Sequence, residues 1–297
     1  LRKSQRELFA ELVSRVDKED ESIPYEKDGY WYQSKWTEED EYPIYLRRKE
    51  GAEIWDTLMN VNVLAKDKDY YSASGLMVSP NTKLMAYYEN TTGSDKSVIK
   101  FKDLEIGQLL KDSMQHVSSL IWLNDEQILY TLQEPKTNRT FQVKLHQLNT
   151  PQNSDTLLFQ EDDFRFQVSI DKSKSKDYIY LSVGSSNTTE IHFMNLKAVE
   201  RGFHLMAPRE GTHEYTVFDY KNEFYIISNK DSEDYEVYKC DESAYSKNDW
   251  KPFLKPKKGT ILTSFVIFDK YLVVGESKDM ENRLKVIDKA TNKSFYT

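Results

Sequence analysis

By type and spacing, five histidines, one cysteine and two runs of acids are the residues of this chain that could do chemistry. His146 and His192 fall on corresponding strands of neighbouring repeats, TFQVKLHQL and TEIHFMNL, so the repeat could bring two imidazoles together as half of a metal site. No group of Cys or carboxylate ligands accompanies them, and the simpler reading is two polar residues on strand faces. His116, His204 and His213 stand alone. The runs Glu38-Glu39-Asp40-Glu41 and Glu161-Asp162-Asp163 could hold a cation, although acid runs of this length are usually solvated loop tips. Cys240, in YEVYKCD, reads as a strand residue rather than a nucleophile. A lone cysteine excludes an internal disulfide framework and fits a reducing compartment, so a cytoplasmic location is expected. Asn90, Asn138, Asn187 and Asn292 lie in glycosylation-type triplets, which mean little in such a compartment.

The motifs that organise catalysis or cofactor binding are missing. No Gly-x-Ser-x-Gly supplies the strained turn that exposes a hydrolase serine. There is no Gly-x-x-x-x-Gly-Lys-Ser/Thr, Gly-x-Gly-x-x-Gly or His-Glu-x-x-His, and 10 glycines in 297 residues leave little for a phosphate cradle. The 49 acids offer many carboxylate pairs, but nothing singles out two for glycoside hydrolysis. The reading is therefore no catalytic residue, no cofactor and no resident metal.

The elements that would position any site are strands. Aromatics reach 13% with 20 tyrosines, which favours pleated surfaces over helices. A net charge of −8 argues against a nucleic-acid partner. No stretch approaches the roughly 20 apolar residues of a membrane span, and nothing resembles a signal peptide. The chain opens on Leu1 rather than Met, which leaves room for a leader. Only 2–16 reads as helical: Leu8, Phe9, Leu12, Val13 and Val16 recur at spacings of three and four and form one apolar stripe in need of a partner surface.

After Pro24 one unit recurs six times. A turn and an aromatic or aliphatic strand return as KDGYWYQSK, SPNTKLMAYY, NDEQILYT, KSKDYIYLSV, KNEFYIISN and FDKYLVVGE. Their markers are Tyr30, Leu84, Ile128, Tyr178, Phe224 and Tyr271. Each is followed by an alternating strand and a short closing run, and first strands such as SGLMVS and HEYTVFD come between units. Four antiparallel strands per period of about 45 residues is the signature of a β-propeller; a sandwich does not predict six matching sets of four. The expected fold is all-β: a propeller of four-stranded blades over 23–297, preceded by a helical arm over 1–22. Loops joining second to third strands carry 13 acids against 5 bases, those joining first to second 8 against 7. One face is thus the more acidic and suited to a partner domain or cationic ligands.

Several stretches together resemble the oligopeptidase B (protease II) branch of the prolyl oligopeptidase family: YPIYLRR (42–48), the DxxYYSASGLMVSPN region (67–81), IWLNDEQILYTLQE (121–134), LLFQEDDFRFQVSI (157–170), SSNTTEIHFMNL (185–196) and APREGTHEYTVFDYKNEFYIISN (207–229). They keep their order over essentially the whole chain. The resemblance implies a seven-bladed propeller over an α/β-hydrolase domain that holds Ser, Asp and His and cleaves short peptides after Arg or Lys. Against it the chain carries six blades and no hydrolase domain, so the propeller is expected to be incomplete at its C-terminus and no family catalytic residue has a position here. The segment alone is expected to be inactive, with a gating role for the whole enzyme. Its expected partners are the hydrolase domain, against which the stripe at Leu8, Leu12 and Val16 would pack, short basic peptides, and other copies through bare blade faces. The reading from another class is a stand-alone propeller that scaffolds protein partners.

Overall fold

The computed structural model describes residues 2–17 and 19–297; Leu1 and Lys18 of the expected arm lie outside the described residues. The helix spans Arg2–Ser14 and buries none of its residues. Leu8, Phe9, Leu12 and Val13 are all exposed, as is Val16 just beyond its end. The apolar stripe read from the sequence is therefore present and uncovered. No helix among the described residues is long and apolar enough to cross a membrane.

Six antiparallel sheets follow, each built from consecutive strands. The first contains Tyr30–Trp36, Ile44–Lys49 and Asp56–Asn60, and its first-strand position is split between Asp20–Glu21 and Tyr25–Lys27, which pair with opposite ends of Tyr30–Trp36. The second runs Ser72–Val78, Leu84–Asn90, Val98–Asp103, Leu109–Gln115; the third Val117–Trp122, Gln127–Gln133, Thr140–Gln147, Thr156–Gln160. The fourth runs Gln167–Lys172, Tyr178–Gly184, Thr189–Asn195, His204–Ala207; the fifth Tyr215–Tyr220, Glu223–Ser228, Glu236–Asp241, Lys251–Leu254; the sixth Ile261–Ile267, Tyr271–Lys278, Glu281–Asp288, Ser294–Tyr296. A short helix, Val61–Ala65, has no periodic signal in the sequence; the Asn60 side chain caps it by accepting from Asn62 and Val63. Sheets one and two form one compact unit ending at His116, and sheets three to six form another over Val117–Thr297.

In the second unit the strand alternation shows directly how sheets stack. Along Tyr178–Gly184, Ile179, Leu181 and Val183 join a core with Leu129 and Val143 of sheet three. Tyr178 and Tyr180, one residue out of step, join a core with Phe224, Ile226 and Tyr238 of sheet five. Both faces are buried, so residues 178–181 read as a continuous apolar run rather than an alternating one. Phe224 and Ile226 are fully buried, and burying such a side chain contributes roughly 2–3 kcal/mol. Tyr225 and Val237 repeat the arrangement toward Phe265 and Val274 of sheet six.

In five of the six sheets the pairing of third with fourth strand shifts register part-way, and such bulges increase the local twist. In sheet four the gap lies beside Ile191, and a tyrosine from the next sheet fills it. The Tyr215 hydroxyl accepts from the backbone N–H groups of Ile191 (2.8 Å) and Ala207 (3.2 Å) and donates to the Ala207 carbonyl. Sheet six has one covered and one open face. Leu272, Val274 and Ile287 pack toward sheet five, while the register puts Val273, Val286 and Phe295 side by side on the other face, with Leu284 two residues along from Val286. Leu284 and Phe295 are exposed there.

Candidate functional site

The histidines resolve into separate structural pairs. His146 Nδ1 lies 2.8 Å from Asp155 Oδ1, and Tyr130 donates to the other oxygen of the same carboxylate at 2.8 Å. The imidazole and the carboxylate are both shut off from solvent. His192 Nε2 is 2.9 Å from Glu190 Oε1, and its ring meets Phe159 edge-on. Each of the two imidazoles has its own carboxylate. Among the described residues no group of three or more His, Cys, Asp or Glu side chains is placed to hold a metal. His213 makes a Ser–His pair with Ser228, 2.8 Å from Nε2 to Oγ. Ser228 is fully buried, and His213 Nδ1 has no hydrogen-bond partner among the described residues that would orient it as a base. Burial also holds the His213 imidazole below its ordinary range. Cys240 is buried among the aromatics of sheets four and five, and desolvation pushes its thiol up to about 12. Burial and the raised thiol both disfavour the nucleophilic thiolate.

The acid run at 161–163 is internally committed. Glu161 is buried and paired with Arg209, which also reaches Glu190 and lies 4.1 Å from the centre of the Phe166 ring. Asp163 is held by Arg165, whose hydrogen bonds bring its carboxyl down to about 2. Arg139 fixes the same loop from beneath: its guanidinium pairs with Glu134 and donates to the carbonyls of Glu161, Asp163 and Phe166. At the tip of this braced loop Phe164 is 81% exposed. In the other run Asp40 turns back to accept from the Thr37 amide and hydroxyl, leaving Glu38, Glu39 and Glu41 exposed.

Two clefts follow the first strands of the second unit. One, of about 550 Å³, is lined by small polar groups including Ser118, Ser119, Ser169 and Ser182. The other, of about 610 Å³, lies where sheets four, five and six adjoin. Its wall is largely apolar and aromatic, with Ile191, Phe218 and Phe265, and it contains two carboxylates, Asp171 and Asp219. Tyr180 donates to Asp219 across the cleft at 3.0 Å. The sequence places Asp171 and Asp219 only as polar residues near strand ends; their convergence depends on how neighbouring sheets stack, which strand patterning does not report.

Six consecutive antiparallel sheets of hairpin-connected strands, the last four stacked face to face, have the architecture of β-propeller blades. The chain belongs to the prolyl oligopeptidase N-terminal β-propeller domain family, whose model matches residues 1–296. It is 30% identical to dipeptidyl aminopeptidase BI of Pseudoxanthomonas mexicana over its whole length, which is 43% of that protein. It is 25% identical to Protease 2 of Moraxella lacunata, with 81% of this chain matched to 36% of that protein. The chain thus spans less than half the length of these relatives. Among solved structures it is similar in fold to oligopeptidase B from Leishmania major, with a TM-score of 0.89 at 20% identity, covering 98% of this chain and 43% of that one. Oligopeptidase B from Trypanosoma brucei with covalently bound antipain gives a TM-score of 0.84 at 21% identity, covering 97% and 42%.

Proposed function

We propose that this chain is the non-catalytic gating propeller of a serine oligopeptidase that cleaves short peptides after Arg or Lys. Its role is to restrict access to a catalytic domain carried elsewhere in the same polypeptide. The observation that carries this reading is the apolar stripe of the N-terminal helix, exposed at Leu8, Leu12 and Val16, in a chain that spans 43% of its relative dipeptidyl aminopeptidase BI. Such a stripe needs a partner, and the rest of a two-domain peptidase supplies one. The open apolar face of sheet six is covered in the same way by a further blade. Opening and closing of the two domains then sets which peptides reach the nucleophile, as lids do in other enzymes. The single buried thiol fits a cytoplasmic location.

The test is the intact mass of the native protein that carries this sequence, together with hydrolysis of a fluorogenic peptide ending in Arg. A mass more than twice that of the 297 residues, as 43% coverage implies, and cleavage blocked by a serine-directed inhibitor support the reading. A native product of 297 residues with no hydrolysis replaces it with a free-standing interaction scaffold. Hydrolysis by the 297-residue chain itself refutes it.

A further inference from the structure

A cavity lies between sheets one and two, where the first strand of each is interrupted. In sheet one, Asp20–Glu21 and Tyr25–Lys27 pair with opposite ends of Tyr30–Trp36. Pro24, between them, has no N–H to give to the ladder. In sheet two the pairing of Ser72–Val78 with Leu84–Asn90 shifts register between Ser74 and Met77, and Gly75, inside the shift, has φ +60. Both interruptions border the same cavity of about 180 Å³, which Ser22 and Tyr25 line from one strand and Gly75 and Leu76 from the other. All of its lining belongs to the first compact unit.

The lining favours a neutral, flat guest. Leu58, Leu76 and Val78 give it aliphatic surface, and Tyr32 and Tyr45 aromatic surface. Lys27 and Asp28 border it from exposed positions; with one charge of each sign, they select neither a cation nor an anion. The polar groups of Ser22, Gln33 and Ser79 are engaged with neighbouring strands and turns. Tyr32 is different. It is only 8% exposed and Tyr25 stacks on it with ring centres 5.5 Å apart, yet its hydroxyl has no hydrogen-bond partner among the described residues. Burial pushes this phenol up, against the pull of Arg47, so it keeps its proton. Tyr32 is therefore a donor without an acceptor, an arrangement that is costly inside a protein. An apolar cavity of about 150 Å³ takes up benzene, so the volume here suits one ring and a small substituent. Contact with tyrosine rings favours an aromatic guest over a saturated one. The geometry points to a binding site for a neutral single-ring aromatic bearing one hydrogen-bonding oxygen, a phenol, with Tyr32 as its polar contact. The site does not depend on the gating reading.

The experiment follows backbone amide shifts of the 297-residue chain during titration with phenol, benzene, cyclohexanol and N-acetyl-tyrosine amide. Phenol should bind saturably, with shifts concentrated at 22–34 and 75–79, and about tenfold more tightly than benzene or cyclohexanol. Tyr32→Phe should erase the advantage of phenol over benzene and leave benzene bound as before, a separation that general damage to the fold does not produce. The thermal midpoint of this variant should equal or exceed that of the native chain, because the lost hydroxyl had no partner. A lowered midpoint would show that the hydroxyl supports the fold, and it would overturn the inference. Tighter binding of N-acetyl-tyrosine amide than of phenol assigns the site to peptide-borne side chains, and the reverse order assigns it to free phenols; both uphold it. The absence of saturable binding, equal binding of phenol and either comparison ring, or an advantage of phenol that survives in Tyr32→Phe also overturns it. No cleavage is read, so failure here and failure of the peptidase reading are separate results.

Discussion

Arg139 and Glu190 are single residues on which much of the loop structure above sheets three and four depends. Arg139 donates to three backbone carbonyls of the 161–166 loop while paired with Glu134. A lysine keeps the charge but loses the planar fork that makes these bonds together. Arg139→Lys should cost about 1–3 kcal/mol in urea unfolding and speed hydrogen exchange at the Phe166 amide; normal exchange there would show that the loop does not need its brace. Glu190 is brought down to about 2, first by its hydrogen bond with His192 and then by Arg209. The folded carboxyl lies below its unfolded value, so the folded state binds fewer protons between pH 2 and 4.5. Its contribution is complete above that window and is lost as pH falls through it, on the order of 2 kcal/mol. The stability gap between the native chain and Glu190→Gln should therefore widen from pH 2 to 4.5 and then level off; a gap independent of pH would contradict the assignment. None of this is legible in the sequence. His192 is visible there as a histidine on a third strand, but Glu190, two residues before it, carries no signal.

Strands, by contrast, are largely legible, because alternation and turn chemistry are local. The six marker strands, their followers and the short closing runs all occur where aromatic and aliphatic repeats place them, and each forms the expected sheet. The split first strand of sheet one and the helix Val61–Ala65 escape, being too short to show a period. Backbone constraint at one position is equally local. Gly75 has φ +60 and a Cβ added there would meet the Tyr88 ring at 2.7 Å. Gly75→Ala should thus cost about 1–3 kcal/mol through both strain and overpacking, read as a lowered urea midpoint. The helix Arg2–Ser14 should behave in the opposite way. It buries nothing, so removing residues 1–16 should leave the stability of the 297-residue chain unchanged to within about 0.5 kcal/mol. On the proposed two-domain reading, the same removal from the full-length protein should destabilise it measurably. A large loss in the short chain would mean that the stripe already has a partner within it.

At the scale of the molecule, the face of sheet six that carries Leu284 and Phe295 has the composition of a buried one. In isolation it should pair with another copy, since large apolar patches seldom stay bare. Sedimentation should show concentration-dependent association of the 297-residue chain that Leu284→Lys reduces; a monomer at all concentrations would count against it. What the sequence could not convey at this scale is which side chains from different sheets meet, because Asp171 and Asp219 are 48 positions apart and belong to different repeats. Cys240 provides a way to follow that assembly. It is the only thiol in the chain and is enclosed by aromatic rings, so an alkylating reagent finds a target only in molecules whose fourth and fifth sheets have come apart. A timed pulse of iodoacetamide followed by weighing the protein would therefore count opened molecules one by one, a stopwatch for unfolding that needs no added dye.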